Sequence, residues 1–239
     1  MLVNTEAIIL SYINYSETSI ILKIYTKDYG LKSFIIKGIR TKRKSNITLG
    51  QLQPLTIIEL TFNEKKSAKL SYINSLKLLY PFKSINSNII KINISLFISE
   101  FLTNVLISDL SNKNLFDFLT NSLKWYDNSE NYMNFHILFM IHFLKFLGIN
   151  PVSTEDKFMY FDIENGIFSN KLISNNYVSG EVVSDLNSIL GTNFDYDNDV
   201  LKTNKQRKNM LDFLISYYSF HVAGFRPLKS IKILHEIFS

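Results

Sequence analysis

The sequence contains no cysteine, and this absence limits what the protein can be. It excludes disulfide bridges, thiolate zinc sites and a cysteine nucleophile. Proline and tryptophan are also scarce, with four and one among 239 residues. No apolar run approaches the roughly 20 residues that a membrane span needs, and the N-terminus lacks the basic stretch of a signal peptide. We therefore expect a soluble cytoplasmic protein with no membrane partner.

The motifs of the common catalytic and metal sites are absent as well. There is no glycine-rich phosphate loop, no nucleophile elbow and no His-Glu-x-x-His pair. His136 and His142 are six residues apart, a spacing that does not place both on one face of a helix. We predict that the protein is not an enzyme and that it uses no cofactor and no metal.

Acidic residues are missing from one long stretch in the first third of the chain. Between Asp28 and Glu59 there is no carboxylate, while six positive side chains lie there: Lys32, Lys37, Arg40, Lys42, Arg43 and Lys44. Residues 1–80 have a net charge of +7, and residues 81–239 have a net charge of −2. Like charges repel each other, so folding gives little reason to collect them, whereas an anionic partner does. The alternative is an ordinary solvated loop.

The first eighty residues show the two-residue periodicity of β-strands. In one segment Ile20, Leu22 and Ile24 share a face, and in another Ile58, Leu60 and Phe62 do. Closure of such strands into a barrel removes their exposed edges. We therefore predict a five-stranded OB-fold barrel over residues 1–80. Its predicted strands are Thr5–Tyr12, Ser19–Thr26, Lys32–Lys37, Thr56–Phe62 and Lys69–Leu76, with a turn at Gly38.

From Pro81 onwards the apolar spacing lengthens to that of helices, which predicts a mostly α-helical domain over residues 81–239. A helix over 133–147 is apolar nearly all round, so we expect it at the centre of that domain. A small β-hairpin is predicted around Asn165-Gly166. The fold class is thus α+β, in two parts. Other helices are predicted over 90–105, 115–126, 180–190, 206–222 and 228–238.

A basic barrel of this kind can bind single-stranded nucleic acid, if a positive groove follows the backbone and aromatic rings stack on the bases. Tyr25, beside Lys23, and Phe34, between Lys32 and Lys37, are the candidate rings, although packing in the core is their alternative role. Lys23 and Tyr25 are also candidate DNA-binding residues.

Several segments in order resemble the RecO family of bacterial recombinational-repair mediators. They are T-E-A-I-I-L from Thr5, T-K-D-Y-G from Thr26, K-G-I-R from Lys37, L-Q-P-L from Leu52 and Y-Y-S-F-H-V-A-G-F-R-P-L-K-S-I-K-I-L from Tyr217. The resemblance runs almost from end to end. It implies an N-terminal OB-fold and a helical C-terminal domain.

The resemblance also implies a function in DNA repair and recombination. Members of the RecO family bind single- and double-stranded DNA, anneal complementary strands and, with RecR, help RecA replace single-strand-binding protein on DNA. It therefore implies a nucleoid-associated protein of the cytoplasm. The residues that match the family's basic strand and loop are Lys37 and Arg40, followed by Lys42, Arg43 and Lys44.

Two further expectations rest on the resemblance. Family members bind the acidic, phenylalanine-ended tail of single-strand-binding protein, and the cations that could meet it here are Lys205, Arg207, Lys208, Arg226 and Lys229. Many members also have a four-cysteine zinc site after a Gly-x-x-Pro segment. Here Gly148-Ile149-Asn150-Pro151 is present but no cysteine follows, so apolar packing alone is expected to hold the hairpin at Tyr160–Phe168.

Two other functions stay open at this point. An RNA-binding OB-fold protein of the translation apparatus would have the same basic barrel and would prefer RNA. A non-catalytic protein-interaction scaffold would use the basic loop to bind an acidic protein.

Overall fold

The computed structural model describes residues 1–40, 47–64, 70–106, 110–194 and 200–237. These residues form two compact units, Met1–Asn128 and Ser129–Ser239. The change from strand to helix falls near Pro81, as predicted, but two helices that follow it belong to the first unit. A domain boundary at residues 80 and 81 stays a prediction.

Five strands of the first unit form a closed barrel in the order β1-β2-β3-β5-β4. All neighbours are antiparallel except β3 and β5, which are parallel. This is the predicted OB-fold barrel. Its strands are β1 (Leu2–Asn14), β2 (Ile20–Thr26), β3 (Gly30–Ile36), β4 (Ile57–Asn63) and β5 (Ser71–Leu78).

Alternating apolar residues fill the barrel interior. Ile20, Leu22 and Ile24 of β2 are fully buried there, which confirms the face predicted for them. Complete burial of an Ile or Leu side chain stabilises the fold by about 1.5–3 kcal/mol. At the end of β3, Gly38 has a φ of +72°, a conformation that glycine adopts at little cost, so the predicted turn is also confirmed.

At a bulge in β1, the barrel contacts its first helix, α1 (Ile89–Val105). The register between β1 and β2 shifts between Ile9 and Ser11. Leu10 therefore lies outside the regular ladder, and its carbonyl accepts a hydrogen bond from the Ser99 hydroxyl of α1. The helix begins at a polar cap, because the Asn88 side chain accepts hydrogen bonds from the N–H groups of Ile90 and Lys91.

The Asp127 carboxylate holds the segment that links the barrel to α1. Asp127 lies near the end of α2 (Lys113–Asn128) and is only 2% exposed. Its oxygens accept hydrogen bonds from the backbone N–H groups of Lys83 at 2.8 Å, Ser84 at 2.8 Å and Ile85 at 3.0 Å. The linking segment is thereby fixed to the C-terminal turn of α2.

Lys91 completes this buried polar network from α1. It is 3% exposed, and its Nζ donates hydrogen bonds to the carbonyls of Tyr126 at 2.8 Å and Asp127 at 3.1 Å. Burial lowers the pKa of Lys91. Burial by itself raises the pKa of Asp127, but the three backbone N–H groups outweigh it and leave that pKa below its usual value. Each charge is thus stabilised by hydrogen bonds.

In the described part of the second unit, a three-stranded sheet is combined with four α-helices. The sheet has the order β7-β6-β8, with strands β6 (Tyr160–Asp162), β7 (Ile167–Ser169) and β8 (Tyr177–Ser179). The predicted hairpin is β6 and β7, and β8 is an additional strand. The helices are α3 (Phe135–Leu147), α4 (Glu181–Ile189), α5 (Asn204–His221) and α6 (Ile231–Ile237).

Aromatic packing and hydrogen bonds together hold the sheet, so the expectation of apolar packing alone is wrong. The fully buried Phe161 meets Phe168 at 5.0 Å and Phe213 of α5 at 5.5 Å between ring centroids. In addition, His221 Nε2 lies 2.7 Å from the carbonyl oxygen of Ile163. Apolar contacts provide the stability, and these polar contacts orient the strands against α5.

Two of the predicted absences concern membrane-spanning helices and metal sites. No helix in that part of the chain is long and apolar enough to cross a membrane. No group of three or more histidine, aspartate and glutamate side chains there is arranged to hold a metal ion.

The buried His136 of α3 should make the stability of the protein depend on pH. It is fully buried, and burial, with a smaller contribution from the Arg207 charge, lowers its pKa from 6.5 to about 3. The unfolded chain therefore binds a proton below pH 6.5 that the folded chain excludes. We expect protonation of His136 in the unfolded chain to lower the free energy of unfolding by about 2 kcal/mol when the pH falls from 7 to 5.

Urea denaturation of the wild type and of His136→Phe at both pH values measures this effect. The variant should lose that part of the pH dependence, and His136→Gln serves if the larger side chain prevents folding. Equal pH dependence in wild type and variants would contradict the prediction.

Candidate nucleic-acid interface

Exposed aromatic and basic residues meet at one end of the barrel, where β3 ends and β5 begins. We call the surface formed by Tyr15, Lys37, Arg40 and Tyr72 the barrel-end surface. The Arg40 backbone N–H donates a hydrogen bond to the Thr18 carbonyl at 3.3 Å, which joins the segment after β3 to the turn between β1 and β2. This surface also has one exposed acid in the same turn, Glu17.

Tyr72 is the ring of this surface that is best placed to meet a base. In the parallel β3–β5 pair it lies opposite Ile35, and its side chain is 57% exposed. Lys37 Nζ is 5.2 Å from the centroid of its ring, a cation–π distance. Both residues line a groove of about 370 Å³ that Ile47 and residues 73–76 of β5 complete. An exposed ring and a cation in one groove are what single-stranded nucleic acid requires.

Tyr72 was not among the residues predicted from the sequence, although the alternation of side chains along its strand indicates that it is exposed. A strand was predicted there, and Ile73 belongs to the apolar side that packs against the barrel core. Since successive side chains of a strand point to opposite faces, Tyr72 had to be on the outer face.

Tyr25 and Phe34, the two candidate rings, are core residues, so both have the alternative role of packing in the core. Tyr25 is 2% exposed and its ring stacks on Phe116 of α2 at 6.3 Å between centroids. Burial also raises the pKa of its hydroxyl. Phe34 is fully buried and meets Phe62 edge-on at 5.0 Å.

Lys23, the neighbour of the Tyr25 ring in β2, makes a structural contact with α1. Its Nζ donates a hydrogen bond of 3.0 Å to the carbonyl of Thr103 in the last turn of α1. A positive charge at this end of a helix meets the negative end of the helix dipole. Lys23 and Tyr25 thus lie on the outer face of β2, which the helices of the first unit cover.

The remaining predicted cations are only partly brought together. Lys37 and Arg40 are exposed on the barrel-end surface. Lys32 pairs with Ile24 of β2. It comes five residues before Lys37 in the sequence, so the two residues are about 17 Å apart along the strand. Lys42, Arg43 and Lys44 lie outside the described residues, as do three lysines that precede β5 in the sequence, Lys65, Lys66 and Lys69.

The five residues predicted to bind an acidic tail are in two groups, at opposite ends of α5 in the sequence. Lys205, Arg207 and Lys208 lie at the start of α5, whereas Arg226 and Lys229 follow its end. From Lys205 to the last residue of α5, the helix extends about 24 Å.

Two of the three residues at the start of α5 already have partners. Lys205 Nζ is 3.5 Å from a carboxylate oxygen of Glu181. Arg207 is half-buried and donates hydrogen bonds to the Leu201 carbonyl at 2.7 Å and to Asn204 Oδ1 at 2.6 Å. Arg226 and Lys229 are exposed on either side of the buried Leu228.

Comparison with known proteins identifies the family. The family model for the N-terminal part of recombination protein O matches residues 1–82, and the model for its C-terminal part matches residues 86–231. The chain is 34% identical over 239 residues to a DNA repair protein RecO of Christiangramia forsetii, with all of both chains covered. It is 33% identical over 239 residues to a DNA repair protein RecO of Flavobacterium psychrophilum, again with complete coverage of both. On these matches, which include the barrel and both sets of helices, the chain belongs to the RecO family.

Proposed function

We propose that this protein is a DNA repair and recombination mediator that binds single- and double-stranded DNA at its barrel-end surface and anneals complementary strands. The observation that supports this most directly is the position of Lys37 over the exposed Tyr72 ring, next to Arg40. The family relatives that match the whole chain are named DNA repair proteins.

The charge of the sequence supports a phosphate ligand. Lys42, Arg43 and Lys44 continue the basic segment that begins at Lys37 and Arg40, and Lys65, Lys66 and Lys69 precede Tyr72. Cations bind DNA largely through contacts with phosphates, which carry no sequence information. A ring that stacks on bases is likewise tolerant of sequence. The proposed interface therefore holds DNA strands without selecting a sequence.

Annealing follows from the same chemistry. Two complementary strands repel each other through their phosphates, and this repulsion slows their encounter. A basic surface that contacts both strands reduces it and raises the local concentration of one strand near the other. Because the cations contact phosphates, the pairing edges of most bases stay accessible.

RecR, RecA and single-strand-binding protein are the partners that membership of the family supports. We propose that RecR acts with this protein to load RecA onto DNA coated by single-strand-binding protein. We propose that exposed cations near α5, with Arg226 and Lys229 among them, meet the acidic tail of that protein. Such an activity needs no catalytic step, and none of the catalytic motifs considered above is present in the sequence.

Replacement of the basic segment should slow strand annealing. In the variant Arg40→Ala, Lys42→Ala, Arg43→Ala, Lys44→Ala, we expect annealing of naked complementary oligonucleotides to be at least about tenfold slower, because four phosphate contacts are lost. The double variant Arg226→Ala, Lys229→Ala is the matched control, and it should anneal naked strands like the wild type. On strands coated with single-strand-binding protein the double variant should also be slow. Equal annealing of naked strands by wild type and the quadruple variant would refute the proposed interface.

Removal of the Tyr72 ring should weaken binding of a single-stranded oligonucleotide. Loss of one base–aromatic stack reduces binding by about 1–3 kcal/mol, so Tyr72→Ala should raise Kd by about fivefold to a hundredfold. Tyr72→Phe keeps the ring and should bind nearly as well as the wild type. Tyr177→Ala removes a similarly exposed tyrosine from the second unit and is the control. Fluorescence anisotropy measures all three, and an unchanged Kd for Tyr72→Ala would exclude stacking at this position.

A further inference from the structure

A second groove of the first unit is not used by the barrel-end surface. It has a volume of about 360 Å³ and lies between the 3₁₀ helix Leu49–Leu52 and α1. Its lining is about half apolar, and its polar groups are uncharged. Pro54, Ile85 and Ile92 contribute apolar surface, whereas Gln53, Asn86 and Ser95 contribute two amides and a hydroxyl.

Ser95 is the residue that points to a ligand. Its side chain is 4% exposed, and its hydroxyl makes no hydrogen bond to any of the described residues. A buried hydroxyl without a partner destabilises a fold by about 1–3 kcal/mol. Ser95 is one of the residues that line the groove, so a ligand with a hydrogen-bonding edge that enters there approaches the residue whose hydroxyl has no partner.

The chemistry of the walls selects the class of ligand. The residues that line the groove carry no charge, so a phosphate or a carboxylate would not be neutralised inside it. Gln53 and Asn86 are exposed amides, and each can both donate and accept hydrogen bonds. A nucleobase has apolar faces and an edge of neutral donors and acceptors, which matches apolar surface together with amide and hydroxyl groups.

The groove is also close to the barrel-end surface along the chain. Ile47 lines the groove that contains Lys37 and Tyr72, and Gly50 lines the second groove. Only three residues separate Ile47 from Gly50, so their Cα atoms are at most about 11 Å apart. A nucleic acid strand that stacks on Tyr72 can therefore extend into the second groove.

We propose that this groove binds one nucleobase of a strand held on the barrel-end surface. The proposal rests on the proposed function, and it adds a contact to the base that complements the contacts to phosphate. Bases of single strands are free to enter such a groove, whereas paired bases in a duplex are not. The groove thus favours single-stranded DNA.

A comparison of two strands of equal charge tests the proposal. One is a twelve-nucleotide thymidine strand, and the other is an abasic strand of the same length. The ratio of their affinities measures the contribution of the bases. In the variant Gln53→Ala, Asn86→Ala this ratio should fall about fivefold, the loss expected for one net hydrogen bond. Both residues are exposed, so the variant should fold.

Asn93→Ala is the matched control, because Asn93 is a partly exposed amide of α1 that does not line the groove. The control should keep the wild-type ratio, and the salt dependence of binding should be the same in all three proteins. An unchanged ratio in the double variant would show that the groove does not bind a base. A protein partner would then be the remaining candidate for the groove. If the wild type bound neither strand, the proposed function itself would fail.

Discussion

The hydrogen bonds to the Asp127 carboxylate are the constraint on which the arrangement of the first unit depends. Three successive N–H groups, of Lys83, Ser84 and Ile85, donate to one side chain that is almost fully buried. Without this acceptor the N–H groups would be unsatisfied, at about 1–3 kcal/mol each for those that stay buried. The carboxylate therefore fixes where the chain leaves the barrel and where α1 begins.

The position of the helices in turn decides which face of the barrel is available to a ligand. Thr103 of α1 accepts a hydrogen bond from Lys23, and Phe116 of α2 covers Tyr25, so the outer face of β2 is closed. The outer side of the β3–β5 pair stays exposed at Tyr72 and Lys37. The apolar interior of the barrel does not distinguish these two outer faces. The proposed nucleic-acid surface lies on the second of these faces.

The sequence predicted the barrel because periodicity is a local property. The alternation of Ile20, Leu22 and Ile24 indicated an inner face, and Gly38 indicated a turn. Periodicity does not tell what covers the outer face of a strand. Lys23 and Tyr25 are contacted by helices about 80 and 90 residues further along the chain, and a local pattern does not show such contacts.

Short elements and separations along helices were the other limits. Strand β8 has only three residues, too few for a periodic pattern to be recognised. Cations at residues 205–208 and 226–229 were grouped because they flank the last long helix. The length of α5 separates them, and the contacts of Arg207 with Leu201 and Asn204 depend on how the chain enters that helix.

The central claim is that cations of the basic segment bind the phosphates of a single strand. The salt dependence of oligonucleotide affinity tests it most directly, because each phosphate contact contributes about −0.7 to the slope of log K against log salt concentration. Lys37, Arg40, Lys42, Arg43 and Lys44 together predict a slope of about −3.5 for the wild-type protein. A slope near zero would contradict the account.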